Sequence, residues 1–407
     1  MHSLAEPRCL TAEPQYGPCS ESIPFIMPTT AIDLDVTDNC NMGCIYCFKG
    51  KKTPRNMSED VAQAAVDWLI IASKDVERVS INFMGGEPLL RWDLVRSFVP
   101  WARRRCRSYG KSVYFSMTVN LTLITDEIRT FFDREGFGVL MSIDGCPDVQ
   151  NAQRPLRNGQ PSSPLVEKWA RSLLKTRPNS DARMTLHPDY VHRFYDSVLY
   201  LSELGFRSVM PAVADYPKWT NAALGTYRTE LERIGDLSLQ RYSRKRPLML
   251  AGFKYIMKDF IAPEEDGRPI ERRNRPCGAG YNYQMIDFDG NIWPCHRFDE
   301  AIQIHGLADR MRMGNVFERD YNHMLEHVFA CNDFRVAPRM KRCNSCPLEP
   351  RCAGGCAAAN LYYTRSLYRP HERACDLGLI HYEVARNVYR RAIRDENKEF
   401  LAAVSSQ

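Results

Sequence analysis

The spacing of its cysteines constrains this chain more than any other feature. Of 15 cysteines, three fall between Cys40 and Cys47 and eight between Cys277 and Cys375. So uneven a distribution does not pair off as a disulfide framework, and metal ligation is the better reading. Nor does a chain of 407 residues need disulfide staples; at the usual ~100–200 residues per domain it builds two or three domains with full-sized cores. The N-terminus has neither the basic stretch nor the continuous apolar run of a secretion signal, and no apolar run approaches the ~18 residues that span a bilayer. The chain is therefore expected in the cytoplasm, without membrane association, where thiols stay reduced and available to metal. Hydrophobic residues at 44% and charged residues at 26% exclude wholesale disorder and a polytopic membrane protein. The net charge of +6 is a small surplus spread along the chain and gives no reason to expect nucleic acid. Clusters such as Arg103, Arg104, Arg105 and Arg107, or Arg272, Arg273 and Arg275, read as solvated faces.

Residues 1–30 carry five prolines without apolar periodicity and read as an irregular arm. Residues 31–37 then alternate like a strand, and Ser58 is placed to cap a helix in which Val61, Ala65, Trp68, Leu69 and Ala72 recur at helical spacing. Strand and helix signals repeat at 79–84 and 92–105, 113–118 and 126–135, 138–143 and 165–175, 183–186 and 190–204, and 208–213 and 222–242. Six such pairs imply an α/β fold with a parallel sheet and helices outside, either open and doubly wound or a partial barrel. Folds of this kind place their chemistry at the carboxyl ends of the strands. The alternation is expected over 31–246 and to stop near Pro247, leaving 247–276 as a connecting segment. Residues 277–380 would form a second, metal-built domain with short strands at 284–287 and 292–294, and an amphipathic helix over 381–404 would close the chain.

Cys40, Cys44 and Cys47 lie just beyond the first expected strand. A structural zinc site generally takes four ligands, and no fourth Cys or His follows in the next fifty residues. Three thiolates on a [4Fe-4S] cluster leave one iron open to a small molecule. The spacing Cys-x3-Cys-x2-Cys, with Tyr46 before the third cysteine, resembles the signature of radical S-adenosylmethionine (SAM) enzymes, and Gly85-Gly86-Glu87-Pro88 resembles their GGEP segment. By itself that segment is equally a strand-to-helix turn with proline in the first helical turn. The resemblance implies that Tyr46, Phe48, Gly85, Gly86, Glu87 and Pro88 surround the cofactor, with Glu87 accepting from its ammonium. Ser116 and Asn120 after the third strand and Ser142 after the fourth would contact its ribose and carboxylate, helped by Arg154 or Arg157. Ordinary strand-end capping is the competing account of these polar residues. The chemistry implied is one-electron cleavage of SAM and hydrogen abstraction from a substrate by the resulting radical, with the protein orienting the cofactors and excluding water.

Cys277-x12-Gly290-x4-Cys295, then Cys343, Cys346, Cys352 and Cys356, then Cys375, resembles in every spacing the seven-cysteine pattern of the SPASM extension. A zinc ribbon would leave three of these seven unexplained. The resemblance implies a partial (β/α)6 TIM barrel followed by a cysteine-rich domain with two auxiliary clusters, making three [4Fe-4S] clusters in all. Cys343, Cys346, Cys352 and Cys375 would hold the distal auxiliary cluster, and Cys277, Cys295 and Cys356 the proximal one. Relatives often supply an eighth cysteine where this chain has Glu271, so the proximal cluster either keeps an open iron or borrows Cys331, Glu271 or another residue. Cys9, Cys19, Cys106, Cys146 and Cys331 are left as free thiols.

SPASM members act largely on peptides and proteins, which implies a precursor peptide or protein substrate and an electron donor such as flavodoxin or ferredoxin. Too few residues precede the barrel for a winged-helix recognition domain, so leader binding would fall to a separate protein or to the barrel surface. Sulfatase-maturing relatives, which oxidise Ser or Cys to formylglycine, usually carry an Asp base directly after the second SPASM cysteine. Here His296 follows Cys295, and the surrounding residues look closer to maturases that crosslink ribosomally made peptides through thioether or carbon-carbon bonds. His296 suits proton transfer near neutral pH, or else hydrogen-bonds a cluster sulfur. Tyr283 and Asp287 are weaker candidates for the site, and a non-catalytic, zinc-binding peptide adaptor is the alternative from another class.

Overall fold

The computed structural model describes residues 28–49, 52–214, 216–266, 277–318, 321–323, 340–348, 352, 354–367 and 369–406. The expectations placed on Cys9, Cys19, Glu271 and Cys331, and on nearly all of the N-terminal arm, lie outside the described residues.

Among the described residues ten strands form one sheet. Strands β1 (Ala31–Asp35), β2 (Arg78–Met84), β3 (Ser112–Val119), β4 (Gly138–Ser142), β5 (Asp181–Leu186) and β6 (Ser208–Val213) run parallel in that order and make the wall of a partial TIM barrel. Between them stand α1 (Glu59–Ala72), α2 (Trp92–Ser108), α3 (Asp126–Arg134), α4 (Pro147–Gln153), α5 (Ser163–Thr176), α6 (Phe194–Leu204) and, after β6, α7 (Asn221–Ser243). Ser58 caps α1 as its sequence position suggests, its Oγ accepting from the Val61 amide at 3.2 Å. Alternation decides which way each strand faces: Val79, Ile81 and Phe83 of β2 are buried under the helices. There Phe83, Phe115 and Phe137 stack with ring centroids 5.8 to 6.1 Å apart.

Three expectations need correction. The alternation does not stop at Pro247, because β7 (Met249–Leu250) pairs parallel to β6 and leads into α8 (Ala251–Asp266). Two residues of strand are too few to give a period. The short helix α4, opened by Pro147, was not expected between the fourth and fifth strands. The closing helix is two helices, α12 (Glu372–Arg394) and α13 (Lys398–Ser405), for the chain turns at Glu396 with φ of +49° and Asn397 caps the second by accepting from the Phe400 amide.

The cysteine-rich region continues the sheet rather than standing apart from it. β8 (Tyr283–Ile286) pairs parallel to β1, with Ala31 opposite Tyr283, and β9 (Asn291–Trp293) and β10 (Gly314–Asn315) extend the edge antiparallel. The short helices α9 (Asp299–His305), α10 (Ala308–Met311) and α11 (Ala357–Thr364) complete it. β1, between β2 and β8, thus belongs to both parts. Among the described residues no helix is long and apolar enough to cross a membrane.

Candidate active site at the strand ends

The loop carrying Cys40, Cys44 and Cys47 leaves the end of β1 and is pinned from three sides. The Gly43 and Ile45 amides donate to the Pro155 and Gln153 carbonyls at 2.9 and 3.0 Å, and Arg157 returns a bond to the Asn41 carbonyl. Asn120, at the end of β3, donates to the Asn41 side chain at 2.8 Å. Beneath the loop, the Gly86 and Glu87 amides donate to the Thr37 and Asn39 carbonyls at 2.7 and 2.9 Å. That approach needs glycine: a Cβ on Gly85 would lie 2.3 Å from the Thr37 oxygen, and one on Gly86 2.1 Å from the Asn39 oxygen. The two glycines therefore seat the cysteine loop on the second strand.

Glu87 is 1% exposed, and its carboxylate accepts from the Leu89 amide at 3.2 Å and the Asn120 amide at 2.8 Å. It caps the turn begun by Pro88 and ties β2 to β3, a structural use that the sequence does not reveal. Burial raises its pKa to about 7 against the two amides, which favour the charged form. The native state then holds a proton that the unfolded chain has released, so stability falls as pH rises from about 4.5 to about 7, by about 3 kcal/mol at most. Comparing thermal unfolding of the parent and Glu87→Gln across that range checks this, since the glutamine removes the carboxyl's own contribution.

Tyr46 points into the barrel, donating to Asp144, which also accepts from the Thr185 amide at 2.9 Å and pairs with Arg154 at 3.0 Å. Arg154 lies 5.4 Å from the centre of the Tyr46 ring. This buried knot holds the third cysteine's neighbour against β4 and α4. Ser142 is buried on β4, and Ser116 donates to Asn82 at 3.0 Å rather than standing free.

Sequence reasoning singled out Phe48, Tyr283 and His296 but missed Asp33, the acid that joins the last two, and its partner Asn82. Asn82 donates to Asp33 Oδ1 at 2.8 Å, and Asp33 Oδ2 meets both the Tyr283 hydroxyl and, at 2.5 Å, His296 Nδ1. Tyr283 and His296 are themselves 3.0 Å apart, and the Phe48 ring centre lies 5.4 Å from that of His296. Two residues along β1, Asp35 pairs with buried Lys49, and burial raises its carboxyl to about 6 despite that cation. The signal that could have found both acids is their alternation with Ile32 and Leu34 in a strand buried on both faces. Asp287 sits apart, accepting from Trp293 Nε1 at 2.8 Å in the β8–β9 turn. It lines, with Asp35, Lys49 and Cys295, a cavity of about 320 Å³ between the two parts of the chain.

The thiols fall into three neighbourhoods. Cys44 lies within electrostatic reach of Cys47 and Cys40, Cys295 of Cys356 and Cys277, and Cys375 of Cys352, Cys343 and Cys346. No disulfide links any of them, and burial pushes Cys44 and Cys375 up to about 11. Protonated soft thiols gathered by threes and fours are donor sets that fit iron-sulfur clusters, whose binding displaces those protons. Among the described residues no three Cys, His, Asp or Glu groups already converge as on a single metal ion.

The Radical SAM superfamily profile matches residues 34–208, and the SPASM profile, an iron-sulfur cluster-binding domain, matches residues 277–347. A serine-type anaerobic sulfatase-maturating enzyme of Bacteroides thetaiotaomicron is 30% identical over 366 residues, covering 82% of this chain and 83% of that protein. PqqA peptide cyclase of Bradyrhizobium diazoefficiens is 23% identical over 384 residues, covering 90% and 91%. The solved structure of native anSMEcpe with bound AdoMet and Kp18Cys peptide matches with a TM-score of 0.70 at 17% identity, covering 93% of this chain and 99% of that one. At that identity the likeness is one of fold.

Proposed function

The chain belongs to the radical SAM superfamily and carries its SPASM domain, and from that premise we propose that it abstracts hydrogen from a side chain of a precursor peptide and closes an oxidative crosslink. Cys40, Cys44 and Cys47 would hold the SAM-binding cluster, Cys277, Cys295 and Cys356 the proximal auxiliary cluster, and Cys343, Cys346, Cys352 and Cys375 the distal one. Bound there, these groups supply one-electron cleavage of SAM, a hydrogen-abstracting radical and an acceptor for the electron left after bond formation. Tyr46, Phe48, Gly85, Gly86, Glu87, Pro88, Ser116, Asn120, Ser142 and Arg154 would surround the cofactor, and Asn120 also fixes the cysteine loop through Asn41. A flavodoxin or ferredoxin would deliver electrons, and a separate protein or the barrel's own surface would bind the leader.

The observation that carries the crosslinking reading is His296, held at Nδ1 by Asp33 beside Cys295. With Nδ1 engaged, Nε2 is the atom left to take a proton from the attacking thiol or ring carbon of the peptide. Formylglycine formation is the second reading, favoured by the identity to a sulfatase-maturating enzyme. A non-catalytic zinc adaptor does not agree with membership of this superfamily.

Incubating the reconstituted protein anaerobically with reductant, SAM and candidate precursor peptides tests the choice. Crosslinking and serine oxidation each remove two hydrogens, so mass alone does not separate them. A product inert to hydrazine reagents, with fragment ions missing across a closed loop, is expected; a hydrazone at one residue would replace the crosslink by an aldehyde.

A further inference from the structure

Three carboxylates inside the barrel meet basic groups. Asp33 meets His296 at 2.5 Å, Asp35 meets Lys49, and Asp144 meets Arg154 at 3.0 Å. Arg183 stands outside these pairs. On β5 it lies between Ala182 and Met184, both buried under the helices, so its side chain faces the interior. Its cross-strand neighbours are Ser142 on β4 and Met210 on β6, which offer it no carboxylate. Among the described residues its guanidinium has neither a hydrogen bond nor an ion pair; the foremost charges acting on it are those of Arg297 and Arg154, with Tyr46 and the Arg154-paired Asp144 acting more weakly the other way. Burial first, then these cations, push its pKa down to about 10. Five donors in a partly desolvated site next to like charge are costly unless an anion arrives to meet them.

We propose that Arg183, with Arg297 beside it, receives a carboxylate of the peptide substrate, an Asp or Glu side chain close to the residue being modified. The inference rests on the peptide-modifying reading. The other carboxylate at hand is that of SAM, for which Ser142 and Arg154 are the proposed contacts, and Ser142 is Arg183's cross-strand neighbour on β4. What sets Arg183 toward the peptide is its second cation, Arg297, which belongs to the Cys295 and His296 segment and not to the cysteine loop of β1; SAM binding is therefore measured beside peptide binding. Arg297 follows His296 and donates its amide to Cys295 Sγ at 3.3 Å, so a group shared by Arg183 and Arg297 lies between the barrel wall and the proximal thiols. A substrate that presents hydrogens to the barrel and a proton to His296 must occupy that same space.

A synthetic library of random heptapeptides, acetylated and amidated so that only side chains carry carboxylates, tests this. The reconstituted full-length protein is equilibrated with it, and retained peptides are sequenced for the parent, Arg183→Gln and Arg183→Lys. The parent is expected to enrich Asp or Glu over Asn or Gln by about tenfold at one position. Arg183→Gln loses that enrichment, Arg183→Lys keeps part of it, and SAM affinity by equilibrium dialysis stays within about twofold, with iron content and unfolding temperature as in the parent. Peptides retained without acidic preference, or with the same preference in Arg183→Gln, overturn the carboxylate subsite and leave the peptide reading standing. A tenfold loss of SAM affinity with unchanged peptide enrichment assigns the carboxylate to the cofactor instead. If the parent retains no peptide, the subsite fails, and the assay with full precursor peptides decides the peptide reading separately.

Discussion

Replacing Cys44 by alanine is expected to reduce 5'-deoxyadenosine production to background, while Cys346→Ala leaves it within about threefold of the parent and yields no modified peptide. Both residues are cysteines of patterned sets, so the contrast tests their assignment rather than their general importance. Cys44 lies on a loop with Cys40 and Cys47 and within electrostatic reach of both. Three thiolates are the fewest that hold a cubane while leaving one iron for SAM, and two would not retain it. Cys346 sits instead with Cys343, Cys352 and Cys375, away from the β1 loop. Its loss should disturb the acceptor of the final electron without touching cofactor cleavage. Iron analysis gives a second readout, with each variant losing one cluster's worth of iron. Equal deoxyadenosine from Cys44→Ala and the parent would contradict the assignment outright.

The reason these sets could be named from sequence is that thiol spacing is local, and a loop of eight residues brings its three cysteines together whatever the rest of the chain does. The six strand and helix pairs were legible for a similar reason, since strands of plain alternation are followed by helices of plain periodicity, the first of them capped by Ser58. What stayed hidden was nonlocal. Thr30 bonds to Asn282 across 252 residues of sequence, and no periodicity announces that β8 will complete the edge of β1. That pairing is what brings Tyr283 and His296 onto Asp33. Asp33 and Asp35 alternate with Ile32 and Leu34, and alternation alone does not say that the polar face turns inward, toward the chemistry. Glu87 shows the same limit: its motif suggests a ligand contact, and no spacing announces that its two oxygens also accept from the Leu89 and Asn120 amides.

The Asp33 and His296 pair carries the other large effect. His296→Ala is expected to lower modified-peptide formation by at least about 100-fold, the usual reach of a positioned general base, while deoxyadenosine production changes little. The two outputs separate because hydrogen abstraction precedes the step in which the attacking group must lose its proton. Asp33→Asn should fall between parent and His296→Ala. The asparagine still reaches Nδ1, but its amide side favours the imidazole tautomer with Nδ1 bare and Nε2 protonated, the wrong atom for accepting. Tyr283→Phe removes a hydroxyl 3.0 Å from Nδ1 and leaves the Asp33 contact, so its effect should be smaller still. This ordering distinguishes a base from a histidine that only shields a cluster sulfur. In the second case all three variants would change the auxiliary clusters' absorption and reduction behaviour, and product would fall in step with that change. Parent-like cluster spectra with ordered loss of product place the proton at Nε2 of His296; product formation by His296→Ala at the parent rate would remove it from the mechanism.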